Sequence, residues 1–198
     1  MIGRRPALRL GASLAGMRFQ GLELLRRAPP GTDEPLASAG FALVPFVNRI
    51  ARGHFRWDSG EVRLAPNAPG QRHPLHGQAW RAPWRVERAE ASRVAQVFQH
   101  AAGEWPWTYA ARQSLALDEE GLEVRLSLEN RSDQPMPAGL GWHPYFRRSP
   151  GMRLRAGVGQ VWLADADCLP RRLAPGTTFG NRSRGEILPA DRCFNRAG

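Results

Sequence analysis

The chain has 198 residues, of which 42% are apolar, and a formal net charge of +10; all 28 of its basic residues are arginine. This length supports one sizeable core, the seven Trp and eight Phe argue against intrinsic disorder, and no apolar run approaches the roughly 20 residues of a membrane span. The arginines are scattered, whereas a nucleic-acid-binding face gathers its charge in one patch, so we expect a solvated basic surface and no nucleic-acid or membrane partner.

The pattern of the chain predicts many short strands. Its 21 glycines and 17 prolines punctuate the sequence every few residues, which is typical of strands joined by turns. No stretch repeats apolar residues at helical spacing, and only a short helical turn is predicted, near residues 35–40. The predicted single strands, in chain order, are 16–26, 53–57, 61–65, 84–88, 93–99 and 159–164.

The clearest predicted element is an antiparallel hairpin over residues 114–132. Its second strand alternates apolar and polar residues with period two, so one face is buried and the other is wet. Residues 118–121 supply the turn. The alternating apolar residues are Leu122, Val124, Leu126 and Leu128. The predicted class is therefore all-β, with no helical layer.

Four short stretches place unusual residues beside turn signals. In VPFVNRIARGHF, Asn48 and Arg49 lie between apolar residues, and a carboxamide beside a guanidinium can donate several fixed hydrogen bonds to vicinal hydroxyls. In NAPGQRHPLHGQAW, the glycine after His76 allows a sharp turn that aims the ring into a cleft. The third stretch is AGLGWHPYF, which contains His143, and the fourth is DRCFN, which contains Asp191.

Taken one at a time, these residues are more simply explained as structural or surface residues, as are His54, His73 and His100. A metal site at His73 and His76 is disfavoured, because no Cys, Asp or Glu lies close by in sequence. Neither a GxSxG elbow nor a phosphate-binding loop occurs. We therefore expect neither a metal nor a cofactor.

The N-terminus has basic residues but no apolar core that leads to a cleavage site, so we expect no signal peptide. The two cysteines, Cys168 and Cys193, lack metal-ligand spacing and are expected to be free thiols. Together these features favour a cytoplasmic protein. The sequence leaves its oligomeric state open.

Read together and in order, the stretches NRIARGHFRWDSGEVRLAPN, HPLHG, GLGWHPYF and DRCF resemble the aldose 1-epimerase (galactose mutarotase) family. The match runs from about residue 40 to the C-terminus. The resemblance implies an antiparallel β-supersandwich, in which large sheets pack face to face around a cleft for one pyranose. We expect a single domain over residues 1–198 that lacks the C-terminal part of the family fold and is incomplete at both ends.

The resemblance also implies roles for individual residues. Arg49 and His76 would bind sugar hydroxyls, and Asn48 would help to set the arginine. His143 would be the general acid. Asp191 would bind further hydroxyls.

These residue types suit anomerisation, which opens a hemiacetal. A proton leaves the C1 hydroxyl while another reaches the ring oxygen, and the open aldehyde rotates about C1–C2 before it recloses. An imidazole, with a reference pKa of about 6.5, can hold or release the proton near neutrality. We expect the strand before His143 to end so that the ring reaches the cleft floor. Trp142 would lower the local polarity or stack on the sugar.

The resemblance implies a glutamate as general base well after Asp191, and the sequence offers no candidate for it; the nearest late carboxylates are Asp165, Asp167 and Glu186. The hypothesis is an aldose 1-epimerase that interconverts the α and β anomers of a hexose. The alternative is a truncated homologue that binds carbohydrate with little or no turnover. A third possibility is a protein that shares only the fold of the family. The stretch LHGQAW resembles family members that act on neutral sugars. A phosphorylated hexose stays possible as the substrate.

Overall fold

Regular structure in this protein is almost entirely β-strand. The computed structural model describes residues 10–147 and 159–176 and the backbone of 195–196, within two compact units, Met1–Arg147 and Arg148–Gly198. Over these residues there are three short 3-10 turns and no α-helix, which confirms the all-β prediction. The strands are β1 (Met17–Phe19), β2 (Leu22–Leu25), β3 (Gly40–Leu43), β4 (His54–Trp57), β5 (Gly60–Arg63), β6 (Arg85–Ala89), β7 (Arg93–His100), β8 (Tyr109–Leu117), β9 (Leu122–Asn130), β10 (Gly141–Pro144), β11 (Gln160–Ala164), β12 (Pro170–Pro175) and β13 (Asn195–Arg196).

The predicted hairpin is formed by β8 and β9, which lie in a four-stranded sheet of order β6-β7-β8-β9. Its turn is stabilised by the Asp118 carboxylate, which accepts the backbone N–H groups of Glu120 (2.9 Å) and Gly121 (3.0 Å). Along β8, alternate residues are buried on the core side of the sheet, as period two requires. The hairpin prediction is confirmed.

The predicted strand over residues 16–26 is in fact two strands, β1 and β2, paired antiparallel. Gln20 and Gly21 adopt left-handed φ angles of 48° and 81° and turn the chain back on itself. The other five predicted single strands each overlap an observed strand. The predicted helical turn is the 3-10 turn Pro35–Ala37.

Several observed strands lie outside the predicted ranges, among them β12 and the buried strand β3 of the unit Met1–Arg147. All four residues of β3 are buried, so the segment reads as a continuous apolar run without alternation. It pairs antiparallel with β10, which sets His143 opposite Phe41 and Trp142 opposite Ala42. The expectation that a strand ends before His143 is wrong, because His143 is the third residue of β10.

Two apolar clusters pack within Met1–Arg147. The smaller joins Phe41 and Leu43 of β3 to Leu75 and Trp80, with Tyr145 packed against it. The larger lies under the four-stranded sheet; its aromatic members are Trp84, Trp105, Trp107 and Tyr109. The smaller cluster supports the candidate site described below.

The unit Arg148–Gly198 contains an antiparallel sheet of order β12-β11-β13. In the turn between β11 and β12, the Asp165 carboxylate accepts hydrogen bonds from the N–H groups of Asp167 and Leu169, both at 3.0 Å. Two of the three late carboxylates named above, Asp165 and Asp167, therefore belong to this turn. Cys168 is a free thiol in this turn. Glu186, Asp191 and Cys193 lie outside the described residues, and the expectation of a single domain stays a prediction.

Candidate functional site

His143 lies among aromatic rings because β10 pairs with β3. Its imidazole stacks on Phe41, with ring centroids 5.2 Å apart and an interplanar angle of 12°, and the Tyr145 ring lies 4.6 Å away. Its Nδ1 is buried without a hydrogen-bonding partner among the described residues. The ring therefore packs chiefly against aromatic neighbours.

His76 is fixed by the segment around Asn48. The two segments run antiparallel, with a bridge between Arg49 and Leu75. The His76 N–H donates to the Asn48 carbonyl (2.9 Å), and the Asn48 N–H donates to His76 Nδ1 (3.0 Å). Because Nδ1 accepts a hydrogen bond, the ring proton of a neutral His76 is on Nε2.

The backbone at both residues is left-handed, with φ angles of 67° at Asn48 and 60° at His76. Asn and His are among the non-glycine residues that tolerate this region best. Gly77 has a φ of +76°, and a Cβ there would lie 2.0 Å from the Val44 carbonyl oxygen, so only glycine fits. The sharp turn expected after His76 is present.

The rings of His76 and His143 meet edge to face, with centroids 5.8 Å apart and an interplanar angle of 75°. Trp80 lies 5.9 Å from His76, and Phe41 contacts both imidazoles. Among the described residues, no group of three His, Cys, Asp or Glu side chains could hold a metal. His76 and His143 thus form a pair of imidazoles that is surrounded by aromatic rings.

Both imidazoles are harder to protonate than an ordinary histidine. Burial lowers the pKa of His76 to about 3, helped by the neighbouring His143 and by the Arg49 guanidinium. Burial also lowers the pKa of His143; its own backbone carbonyl opposes the shift, and Arg26 adds to it. Both pKa values thus lie below the reference value, and His76 is a neutral Nε2–H donor at pH 7.

Arg49 is half-buried and is held by neutral groups. Its Nη1 donates to the Asn48 side-chain oxygen (3.3 Å), and its Nη2 donates to Gln71 Oε1 (3.0 Å). None of the described carboxylates forms an ion pair with it, whereas nine other described arginines have one. Its remaining donors are therefore open to a ligand.

Asn67 clamps the turn that carries His76. Its Nδ2 donates to the carbonyls of Leu75 (2.8 Å) and Gly77 (2.7 Å), and its Oδ1 accepts the Leu75 N–H (2.7 Å). One side chain thus satisfies three backbone groups on the two residues that flank His76.

His73, three residues before His76, makes the same kind of contact. The Arg52 N–H donates to His73 Nδ1 at 3.0 Å, and Arg52 is also left-handed, with a φ of 55°. His73 is buried, which agrees with its interpretation as a structural residue.

Four of the predicted site residues come together: Asn48, Arg49, His76 and His143. Trp142 alternates with His143 along β10, so it faces the other side of the strand, where its indole covers Gly40. Asp191 is outside the described residues.

Sequence reasoning missed several residues that hold the site. Asn67 and Gln71 belong to a stretch that was singled out, so their position near His76 was a usable signal. The others come from elements without a motif and were not predictable from their neighbours in sequence. They are Arg26, Phe41 and Trp80.

Comparison with known proteins identifies the family. Residues 7–198 match the profile of the aldose 1-epimerase family, and the chain belongs to that family. It is 36% identical over 155 residues to the uncharacterized protein YphB of Escherichia coli (strain K12), an alignment that covers 77% of this chain and 52% of YphB. The chain thus spans about half the length of this curated relative.

Solved structures support the same fold. A crystal structure from Escherichia coli K12, assigned only provisionally as an aldose 1-epimerase, superposes with a TM-score of 0.83 at 29% identity, over 90% of this chain and 61% of that one. The GalM/aldose epimerase homologue from C. elegans gives 0.73 at 16% identity, over 90% and 60%, which is a likeness of fold alone. The predicted galactose mutarotase-like β-sandwich is confirmed.

We expect acid to destabilise the protein through His76. Between pH 6.5 and about 3 the unfolded histidine binds a proton that the folded one does not, so stability falls as pH falls through this window, by up to about 1.4 kcal/mol per pH unit. His76→Asn keeps an acceptor for the Asn48 N–H and tolerates the left-handed backbone, but it cannot titrate. Urea denaturation at several pH values should show a shallower slope for this variant; equal slopes would contradict the assignment.

Asn67→Ala should destabilise the turn at His76. It leaves three backbone groups without their partner, at a cost of roughly 1–3 kcal/mol for each group that water cannot reach. Asn130→Ala is the control, because Asn130 is an exposed residue at the end of β9 that bonds Gln134 and Ser132. Urea unfolding should separate the two variants clearly, and equal losses would argue against the clamp.

Proposed function

We propose that the protein is an aldose 1-epimerase (mutarotase) that interconverts the α and β anomers of a hexose. The observation that carries the proposal is the convergence of His76 and His143, with ring centroids 5.8 Å apart, beside a guanidinium without a carboxylate partner among the described residues. These groups come from three separate segments of the chain, and membership of the aldose 1-epimerase family gives the chemistry that they would serve.

Two of these groups would bind the sugar without moving a proton. His76 stays neutral over the physiological range, so its Nε2–H donates a hydrogen bond to a sugar oxygen. Arg49 donates from a planar fork that matches two neighbouring hydroxyls. Asn48 and Gln71 hold the guanidinium in place.

His143 would act as the general acid. Its Nδ1 is buried, so Nε2 is the nitrogen that exchanges a proton with a ligand. The imidazolium gives its proton to the ring oxygen as the C1–O5 bond breaks, while a base takes the proton of the C1 hydroxyl and leaves the open aldehyde. Rotation about C1–C2 and the reverse transfers close the ring on the other face. A lowered pKa makes the imidazolium rarer but a stronger acid.

Asp191 would bind further hydroxyls, as the family pattern suggests. The sugar-stacking role of Trp142 stays a prediction, as does the cytoplasmic location of the protein. The contacts described above do not distinguish a neutral hexose from a phosphorylated one.

A second function is sugar binding with little or no turnover. It is favoured by one observation: no carboxylate of residues 10–147 forms an ion pair or hydrogen bond with Arg49, His76 or His143, so none of these carboxylates is held beside the site as a base. The two functions would use the same residues and differ in whether a base completes the site.

Exchange between the anomers of glucose and galactose, measured by NMR, should be faster with the protein than in buffer. His143→Asn should lower the catalysed rate by about 10²–10⁴-fold, since it removes the acid. His54→Asn is the control, because His54 is an exposed histidine on β4. A buffer-like rate together with a sugar-dependent change in tryptophan fluorescence would favour binding without turnover. Full activity in His143→Asn would refute the acid.

The pH dependence of kcat/KM shows whether His143 donates or accepts the proton. If His143 donates a proton, kcat/KM should fall as pH rises through a midpoint below 6.5, because the acidic form is lost there. His76 should not contribute between pH 5 and 8, since its pKa is about 3. A rate that instead rises through this midpoint would make His143 the base.

A further inference from the structure

Arg26 ties three segments together next to the candidate site. It directly follows β2, and its backbone N–H donates to the Tyr145 carbonyl (2.9 Å). Its Nε donates to the Ser38 carbonyl (2.7 Å), and its Nη2 donates to the Leu36 carbonyl. Two carbonyls therefore orient the guanidinium plane, a contact for which the single ammonium of lysine lacks the geometry.

The oriented guanidinium lies on an aromatic ring that reaches His143. Its Cζ is 3.5 Å from the centroid of Tyr145, a cation–π contact, and the same ring lies 4.6 Å from the imidazole of His143. No carboxylate among the described residues forms an ion pair with Arg26. None of these residues therefore neutralises its charge.

We propose that Arg26 is a positioning residue for the epimerase reaction, and the inference rests on that proposed function. It fixes the Tyr145 ring against the His143 imidazole and keeps a permanent positive charge beside it. No motif contains this residue, and no contact with the sugar is needed for the role.

Among the described residues, the groups that face His143 single out Arg26. Phe41 on β3 carries no charge, His76 is neutral at pH 7, and Tyr145 is the ring on which the Arg26 guanidinium lies. Among the described arginines, Arg49 helps to lower the pKa of His76, whereas Arg26 helps to lower that of His143. A fixed cation disfavours the charged imidazolium, so Arg26 makes the protonated form of His143 a stronger acid.

The test is an NMR titration of the His143 ring, followed at the Cε1–H signal and assigned with His143→Asn. Arg26→Met removes the charge and should move the midpoint of His143 to higher pH. Arg26→Lys keeps the charge but loses the fork, so the midpoint should stay nearer to wild type while the rate of anomer exchange falls, by up to about 10²-fold if the ring is displaced by 1 Å. Arg27→Met is the matched control, since it removes the adjacent, exposed arginine and should leave both quantities unchanged.

An unchanged His143 midpoint in folded Arg26→Met would overturn the proposal, as would an equal shift in Arg27→Met. Should Arg26→Met fail to fold, Arg26→Gln carries the same test, because it keeps a donor for the Ser38 carbonyl and lacks the charge. The titration needs no turnover. A protein that binds sugar without epimerising it would therefore contradict the proposed function and still give a valid result for Arg26.

Discussion

The hydrogen bond from the Asn48 N–H to His76 Nδ1, 3.0 Å long, is the contact on which the candidate site depends. It fixes the ring proton on Nε2 and holds the imidazole edge-on to His143. Because a protonated His76 would have to break this bond, it also favours the neutral ring. Arg49 follows Asn48 in the chain, so the same contact places the guanidinium.

This arrangement requires an unfavourable backbone, which the surrounding structure compensates. Asn48, His76 and Gly77 are all left-handed, a conformation that costs a side-chain-bearing residue of order 1 kcal/mol or more. Asn67 offsets part of this cost by satisfying three backbone groups around His76. Strain of this kind is common at functional sites, where it is retained because it aims a side chain.

The sequence predicted those parts of the fold that depend on local pattern. Period two along residues 122–128 marked a strand with one wet face, but β3 is buried on both faces and shows no alternation. His76, Arg49 and His143 were found through motifs, whereas Arg26 and Phe41 reach the site only through strand pairing between distant segments. The lowered pKa values could not be predicted, since they arise from burial in the folded protein.

The central claim is that His76 is a neutral hydrogen-bond donor with its Nδ1 tied to the backbone. Two-bond ¹H–¹⁵N correlation NMR of the histidine rings distinguishes the two neutral tautomers and the imidazolium directly. The account predicts the Nε2–H tautomer for His76, unchanged from pH 8 to pH 5. An Nδ1–H tautomer, or protonation of His76 with a midpoint near 6.5, would contradict it.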